Sequence, residues 1–173
     1  MIRITPEQPK DSAAIEALLD RAFGRDRWTK ASYAFRRETP PVAKLSLVAR
    51  DRDRVVGTIR YWPIEIGSGR VPALLLGPIG VAPLYQGKGV GGALMSQSLS
   101  LAAATGHRIV LLVGDLAYYA RFQFRPAAPL GLSMPDEQPD RLLARALADG
   151  ALRGVSGDVR PWRAATRRRA ARG

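Results

Sequence analysis

The chain of 173 residues has no cysteine and a single histidine, His107. Disulfides, thiolate metal sites and cysteine nucleophiles are therefore excluded, and a His-rich metal centre has no ligands to draw on. No stretch approaches the ~20 uninterrupted apolar residues of a membrane-spanning helix. The opening MIRITPEQPKD has no apolar signal core. Acidic residues are few: 15 against 27 Lys and Arg, for a formal net charge of +12. Half of that excess falls in the last fourteen residues, where Arg160, Arg163, Arg167, Arg168, Arg169 and Arg172 stand with no acid. A basic arm of this kind binds nucleic acid by phosphate neutralisation or simply stays solvated. The solvated reading is preferred, because Trp162 is its one aromatic and no RNA-binding motif accompanies it. The expectation is a cytoplasmic protein with one domain over residues 1–160 and a flexible Arg-rich tail over 161–173.

What is present is concentrated in residues 76–99, LGPIGVAPLYQGKGVGGALMSQSL. They read as a strand, a short turn and a glycine-rich loop opening into a helix. The loop is Gln86, Gly87, Lys88, Gly89, Val90 and Gly91, followed by Gly92. Glycine lets a phosphate approach the backbone, and the first turn of a helix presents unpaired N–H groups at its positive end. Together they form an anion site. The loop lacks the Gly-Lys-Ser/Thr ending of a nucleotide P-loop. Gly87, Gly89 and Gly92 have dinucleotide spacing, so a dinucleotide site and a plain strand-to-helix turn both stay open. Pro78 and Pro83 and the mid-chain position disfavour the former.

Periodicity places the rest. Residues 2–4 form a short strand that stops at Pro6. Asp11 caps a helix whose Ile15, Leu18, Leu19, Ala22 and Phe23 share one face, ending at Gly24. A second, shorter helix is expected over 29–37, halted by Pro40-Pro41. Strands over 45–49, 55–66 and 71–81, joined by turns at 51–54 and 67–69, make an antiparallel meander. A helix from Val90 to about Thr105 and an apolar strand at 109–113 then complete a crossover that sets neighbouring strands parallel. A short helix covers 116–122. Residues 141–148 have helix-forming composition.

The pair QGKGVG and AYYARFQF, with a strand between them, resembles the GNAT superfamily of acyl-CoA-dependent N-acetyltransferases. Gln86, Gly89 and Gly91 match its Gln/Arg-x-x-Gly-x-Gly/Ala loop, and Tyr119 and Phe124 match its later Tyr and Phe. Gln123 stands where the family usually has Gly, and Gly114-Asp115 where a strand often ends in Asn. Residues 150–162, GALRGVSGDVRPW, are similar to a subgroup of predicted bacterial N-acetyltransferases, and the resemblance spans residues 2–159.

The resemblance implies an α/β fold, a GNAT-like mixed sheet with an antiparallel meander and a parallel, splayed strand pair around a cofactor cleft. It makes 141–148 a strand, against its composition. It implies acetyl-CoA as co-substrate, no metal, and a primary amine as acceptor. Pantetheine would pair with the backbone of Ile79, Gly80 and Val81. The pyrophosphate would sit on the amides of Gln86, Gly87, Lys88, Gly89, Val90 and Gly91, with Lys88 adding a charged contact and Asp115 near the cofactor's path. Tyr119, with a reference pKa of ~10, would be the acid for the leaving thiolate, while Tyr118 packs elsewhere. Glu65 and Asp115 are the carboxylates nearest in sequence for taking the amine's proton through water. The acceptor would lie by residues 25–28 and 61–63, with Trp28, Tyr33, Tyr61 and Trp62 available to line it. The departure at Gln123 and the lack of an evident base leave a non-catalytic acyl-CoA sensor as the alternative.

Overall fold

The computed structural model describes residues 1–37 and 39–163; of the expected tail, 164–173 lie outside the described residues. Twelve elements follow in chain order: β1 (Ile2–Pro6), α1 (Ser12–Phe23), β2 (Leu47–Asp51), β3 (Arg54–Ile66), β4 (Val71–Val81), α2 (Val90–Ala104), β5 (Ile109–Val113), α3 (Leu116–Tyr119), β6 (Arg125–Pro126), β7 (Leu132–Ser133), β8 (Leu142–Ala146) and β9 (Gly157–Pro161). Short 3-10 turns fill the gaps. The main sheet runs β1-β2-β3-β4-β5-β8-β6, with β9 beside the far end of β3. Its neighbours are antiparallel except β4 and β5, joined by the α2 crossover. The expected mixed sheet is the observed one.

Period-2 alternation divides the strands between two faces. Leu47, Ala49, Tyr61, Leu74, Leu76, Val110 and Leu112 point to the layer that packs on α2 through Val90, Leu94, Met95 and Leu99. Trp62, Ile64, Ala73, Leu75, Ile109 and Leu111 point the other way, under the C-terminal loops. Val48 meets Ile15, Leu18 and Leu19 of α1 on that second side. Because both faces of β5 are covered, its sequence is an unbroken apolar run rather than an alternating one.

Residues 141–148 show tertiary pairing overriding propensity. β8 aligns all five of its residues with β5, from Ile109↔Ala146 to Val113↔Leu142. A helix here would leave that edge of β5 unpaired and buried. The second helix expected over 29–37 is a correction. The chain makes separate 3-10 turns, Arg27–Thr29 and Ala31–Arg36, broken by the extended backbone of Lys30 (ψ 142°). Large side chains inside this short segment (Arg27, Tyr33 and Phe35) are buried in different directions, which one amphipathic face could not satisfy.

Asp11 holds the N-cap position of α1 without accepting a bond from that helix. Its carboxylate instead accepts two hydrogen bonds from Arg50, at 2.6 and 2.9 Å, and one from the Gln8 N–H at 2.7 Å. Arg50 Nε donates to Thr5 Oγ1 at 3.0 Å. This buried fork clamps the start of α1 to β1 and β2. The bond from Arg50 is the main force holding the Asp11 carboxyl below its ordinary pKa. Removing one partner strands a buried charge, so Asp11→Ala is expected to cost about 3–5 kcal/mol in urea unfolding at neutral pH. The lowered value also fixes a sign. The contribution is complete above the unfolded carboxyl's ~3.9 and is lost as pH falls through the folded value. Asp11→Asn should therefore lose less stability than the parent between pH 5 and more acid conditions; equal losses would contradict the assignment.

Candidate active site

The β4–β5 ladder contains two residue pairs, Leu74↔Val110 and Leu75↔Leu111. Beyond them β4 runs on to Val81, still paired to β3 through Ile79↔Ile59, Gly80↔Thr58 and Val81↔Gly57. β5 runs on to Val113, paired only to β8. The strands part, and the β5-facing edge of residues 76–81 has no strand partner. The cause is local. The β3–β4 register shifts between Ile59 and Tyr61, so that Arg60 alone faces Gly77 and Pro78. An extra residue in one strand bends it and raises its twist. Proline, which has no N–H to give a ladder, is tolerated at such a place. The Gly77 carbonyl accepts from Trp62 Nε1 at 2.6 Å, which fixes the bend to the sheet.

At the far end of β4 the chain turns through residues 82–89 into α2. Gly87 (φ 72°) and Gly89 (φ 81°) take left-handed backbone, which side chains with a Cβ resist. Among the described residues no backbone acceptor is bonded by the amides of Gly87, Lys88, Gly89, Val90, Gly91 or Gly92. The Gln86 amide, expected to be part of this set, donates to the Pro83 carbonyl at 3.3 Å, and the Gln86 side chain to the Val81 carbonyl at 3.1 Å. Gly92 thus replaces Gln86 in a cluster of six free amides at a helix N-terminus. Lys88 is exposed, its Nζ 5.7 Å from the centre of the Tyr85 ring.

On the other side of the split, α3 begins at Asp115, whose carboxylate accepts from the Ala117 N–H at 3.2 Å. Asp115 is a helix cap. Tyr119 lies at the end of α3 with its ring edge-on to Tyr118 (4.8 Å) and Phe124 (6.2 Å). Burial pushes its hydroxyl up to about 12, Tyr118 adding to the rise and Arg141 opposing it. The ring lies over Gly114, where a Cβ would fall 2.4 Å from Tyr119 Cε2. A larger residue at the end of β5 would displace Tyr119, so glycine here and tyrosine there form one packing unit. Gln123, in the family's glycine position, adopts the left-handed backbone (φ 66°) that a glycine would favour there. Tyr118 does not simply pack away. A Cβ on Gly91 would lie 3.2 Å from its hydroxyl, so Tyr118 reaches the amide cluster.

Between these walls lies a cavity of about 330 Å³, bordered by Leu76, Gly77, Pro78 and Ile79 of β4, Leu112 and Val113 of β5, and Tyr119. Its outer wall comes from the segment after α1, with Lys30, Tyr33 and Arg36, and from Glu137 and Arg141 before β8. Glu137 and Arg141 have no motif around them, and only the fold brings them here. Two of the residues available from the sequence lie elsewhere, in structural roles. Tyr61 is fully buried in the core, bonded to the Ser98 hydroxyl at 2.7 Å, and does not line the cavity. Glu65 is buried at the opposite end of β3, 3.5 Å from Arg70 and next to β9, accepting from the Arg163 N–H at 3.4 Å. Trp28 is half-exposed, stacked on Arg27 and edge-on to Tyr33 at 5.1 Å.

The outer wall is held by ion pairs. Arg27, fully buried, bonds Asp20 (3.1 Å) and Glu16 of α1, and Arg60 of β3 bonds Glu7 (2.7 and 2.9 Å) and Glu16 (3.5 Å). Among the described residues no group of three His, Asp or Glu side chains is placed to hold a metal ion, and no helix is long and apolar enough to cross a membrane.

Comparison with known proteins agrees with this geometry. Residues 3–127 match the model of the acetyltransferase (GNAT) domain family. The uncharacterized N-acetyltransferase YhbS of Escherichia coli (strain K12) is 32% identical over 162 residues, covering 92% of this chain and 94% of that protein. The crystal structure of YhbS from Escherichia coli in complex with CoA superposes with a TM-score of 0.79 at 30% identity, over 91% of this chain and 88% of the other. A GNAT family acetyltransferase from Brucella melitensis in complex with acetyl-CoA gives a TM-score of 0.70 at 29% identity, over 96% and 98%. The chain belongs to the GNAT acetyltransferase family.

The contact between Gly114 and Tyr119 makes a prediction. Gly114→Ala should destabilise the protein by about 1–3 kcal/mol, as overpacking does. In a Tyr119→Ala background most of that cost should vanish. A double-mutant cycle by urea unfolding measures the coupling; additive losses would show that the two residues do not share the space.

Proposed function

We propose that this chain transfers an acetyl group from acetyl-CoA to a primary amine by direct attack, within the cleft where β4 and β5 part. The observation that carries the reading is the order of features along one strand: β4 borders a tyrosine-lined cavity at residues 76–79, keeps an edge without a strand partner to Val81, and leads into a loop with six free amides. Pantetheine, which carries two amide groups, would bond the β4 edge at Ile79, Gly80 and Val81 as a further strand would. The pyrophosphate would accept from the amides of Gly87 to Gly92, with Lys88 and the Tyr118 hydroxyl within reach. One helix end contributes only ~0.3–1 kcal/mol to an exposed anion and up to ~2 in better geometry. Several N–H bonds and the pantetheine must therefore share the affinity. Relatives of similar sequence and structure that hold CoA or acetyl-CoA support the same cofactor here.

The acetyl carbon would then lie beside Tyr119. The neutral amine attacks it, a C–N bond forms, the C–S bond breaks, and the nitrogen loses a proton while the sulfur leaves as a thiolate. Glu137, the one carboxylate on the cavity wall among the described residues, would take that proton, directly or through water. Tyr119 would face the sulfur. With its hydroxyl at about 12 and a thiol near ~8.5, complete proton transfer from tyrosine to thiolate runs uphill by roughly 4–5 kcal/mol. Tyr119 therefore acts chiefly by donating a hydrogen bond to the developing thiolate, as an oxyanion donor does for oxygen. The motives for a non-catalytic sensor weaken together: Gln123 takes the backbone conformation of the glycine it replaces, and a carboxylate stands at the cavity.

Calorimetry with acetyl-CoA tests the cofactor, and absence of binding at millimolar ligand would refute the reading. With an accepted amine, Tyr119→Phe should lower kcat on the order of 100-fold and leave acetyl-CoA affinity nearly unchanged; equal turnover would remove Tyr119 from the reaction. The raised hydroxyl also predicts a pH profile. Burial keeps the protonated form, so kcat should show no alkaline fall that Tyr119→Phe abolishes below about pH 10.

A further inference from the structure

Arg36 is a buried charge on the cavity wall whose partner the fold does not supply among the described residues. It belongs to the Ala31–Arg36 turn, and its guanidinium lies 4.3 Å from the centre of the Tyr33 ring and 5.9 Å from that of Trp62. Its Nη2 stands over the bend in β4, 3.0 Å from where a Cβ on Gly77 would be. Nε and Nη1 are buried and have no hydrogen-bond partner. Burial pulls its pKa down to about 10, with Tyr33 opposing, so the group remains a cation at neutral pH. Its neighbours Arg27 and Arg60, and Arg50 beyond them, each bond one or two carboxylates. Among the described residues no carboxylate lies within 4.0 Å of Arg36. A desolvated guanidinium with idle donors is costly unless an anion completes it.

The cavity supplies the place for that anion. Among the described residues Lys30, Arg36 and Arg141 give its wall three cations against the single acid Glu137, so these side chains make the space electropositive. We infer that Arg36 is a specificity residue that binds a carboxylate of the acceptor, so that the acceptor is a small primary amine carrying a carboxylate, of the amino-acid type. The inference rests on the proposed acetyl transfer and adds the substrate class to it. Both hydrogen-bonding forks of a guanidinium include Nη2, so a carboxylate entering at Nη2 pairs with one of the two idle nitrogens beside it, a bidentate geometry lysine cannot copy. With the carboxylate at Arg36 and the amine toward Glu137, a zwitterion spans the cavity in one orientation. A volume of about 330 Å³ that must also admit the acetyl thioester leaves room for a small molecule rather than a folded protein surface.

The test measures binding of the product, so it does not depend on having found the natural acceptor. The full-length protein is saturated with CoA and titrated calorimetrically with a panel of N-acetyl amino acids, their C-terminal amides, and the matching N-acetyl aminophosphonates. At least one N-acetyl amino acid should bind ~30-fold or more tightly than its amide, the loss typical of leaving a desolvated charge unpaired. In Arg36→Met that ratio should fall to near one, and Arg36→Lys should restore only part of it. Thermal unfolding of each variant shows that it is folded. Equal binding of acids and amides, no binding of any acid by the CoA-loaded protein, a ratio that survives Arg36→Met, or a preference for phosphonates would each overturn the inference. Failure of CoA itself to bind would instead overturn the acetyltransferase reading beneath it.

Discussion

The ladder between β4 and β5 stops after two residue pairs, and the rest of the candidate site depends on that stop. A sheet strand with no neighbour is a cost inside a protein, because half its backbone groups lose their partners. Here the stop is imposed from the other side of the strand. Gly77 and Pro78 crowd opposite Arg60, β4 bends, and Trp62 bonds the displaced carbonyl. The bend opens the cleft, leaves a strand edge without a neighbour, and points β4 at the glycine loop. Tyr119 arrives at the same cleft because β5 ends at Gly114, where its ring can lie against backbone.

The surrounding charges fall into two kinds. Arg27, Arg50 and Arg60 are structural: each is desolvated and each is answered by carboxylates of β1, α1 or the chain between them. They fix the outer wall of the cavity to the sheet. Such pairs add little net stability compared with apolar packing, but they are expensive to break, so they hold a geometry. Arg36 shares the wall and lacks the answer. That contrast, among the described residues, is the ground for reading it as a binding group rather than another brace.

Much of the fold was legible in the chain. Alternation in residues 55–66 and 71–81, the unbroken run at 109–113 and the helical period after Asp11 each report which faces are covered, and the structure covers those faces. Gly87 and Gly89 were legible as a loop that needs left-handed backbone, which they take. Tyr119 was legible through its distance from that loop. What was not legible depends on contacts between residues far apart in sequence. Glu137 and Arg141 reach the cavity only because β8 inserts beside β5. Arg36 looked like one arginine among many until its lack of a partner was seen in space. Tyr61 and Trp62 are adjacent in sequence, yet pleating sends one into the core against Ser98 and the other toward the bend. Asp11 carries a helix-capping signature, but Arg50 offers its carboxylate a stronger bond than the first-turn amides do.

The account turns on whether the strand edge and the glycine loop serve one ligand together. Amide hydrogen exchange, followed residue by residue with and without acetyl-CoA, measures this directly. The account predicts that Ile79 to Val81 and Gly87 to Gly92 gain protection together on adding acetyl-CoA. Protection confined to one of the two segments, or absent from both at saturating ligand, would contradict it.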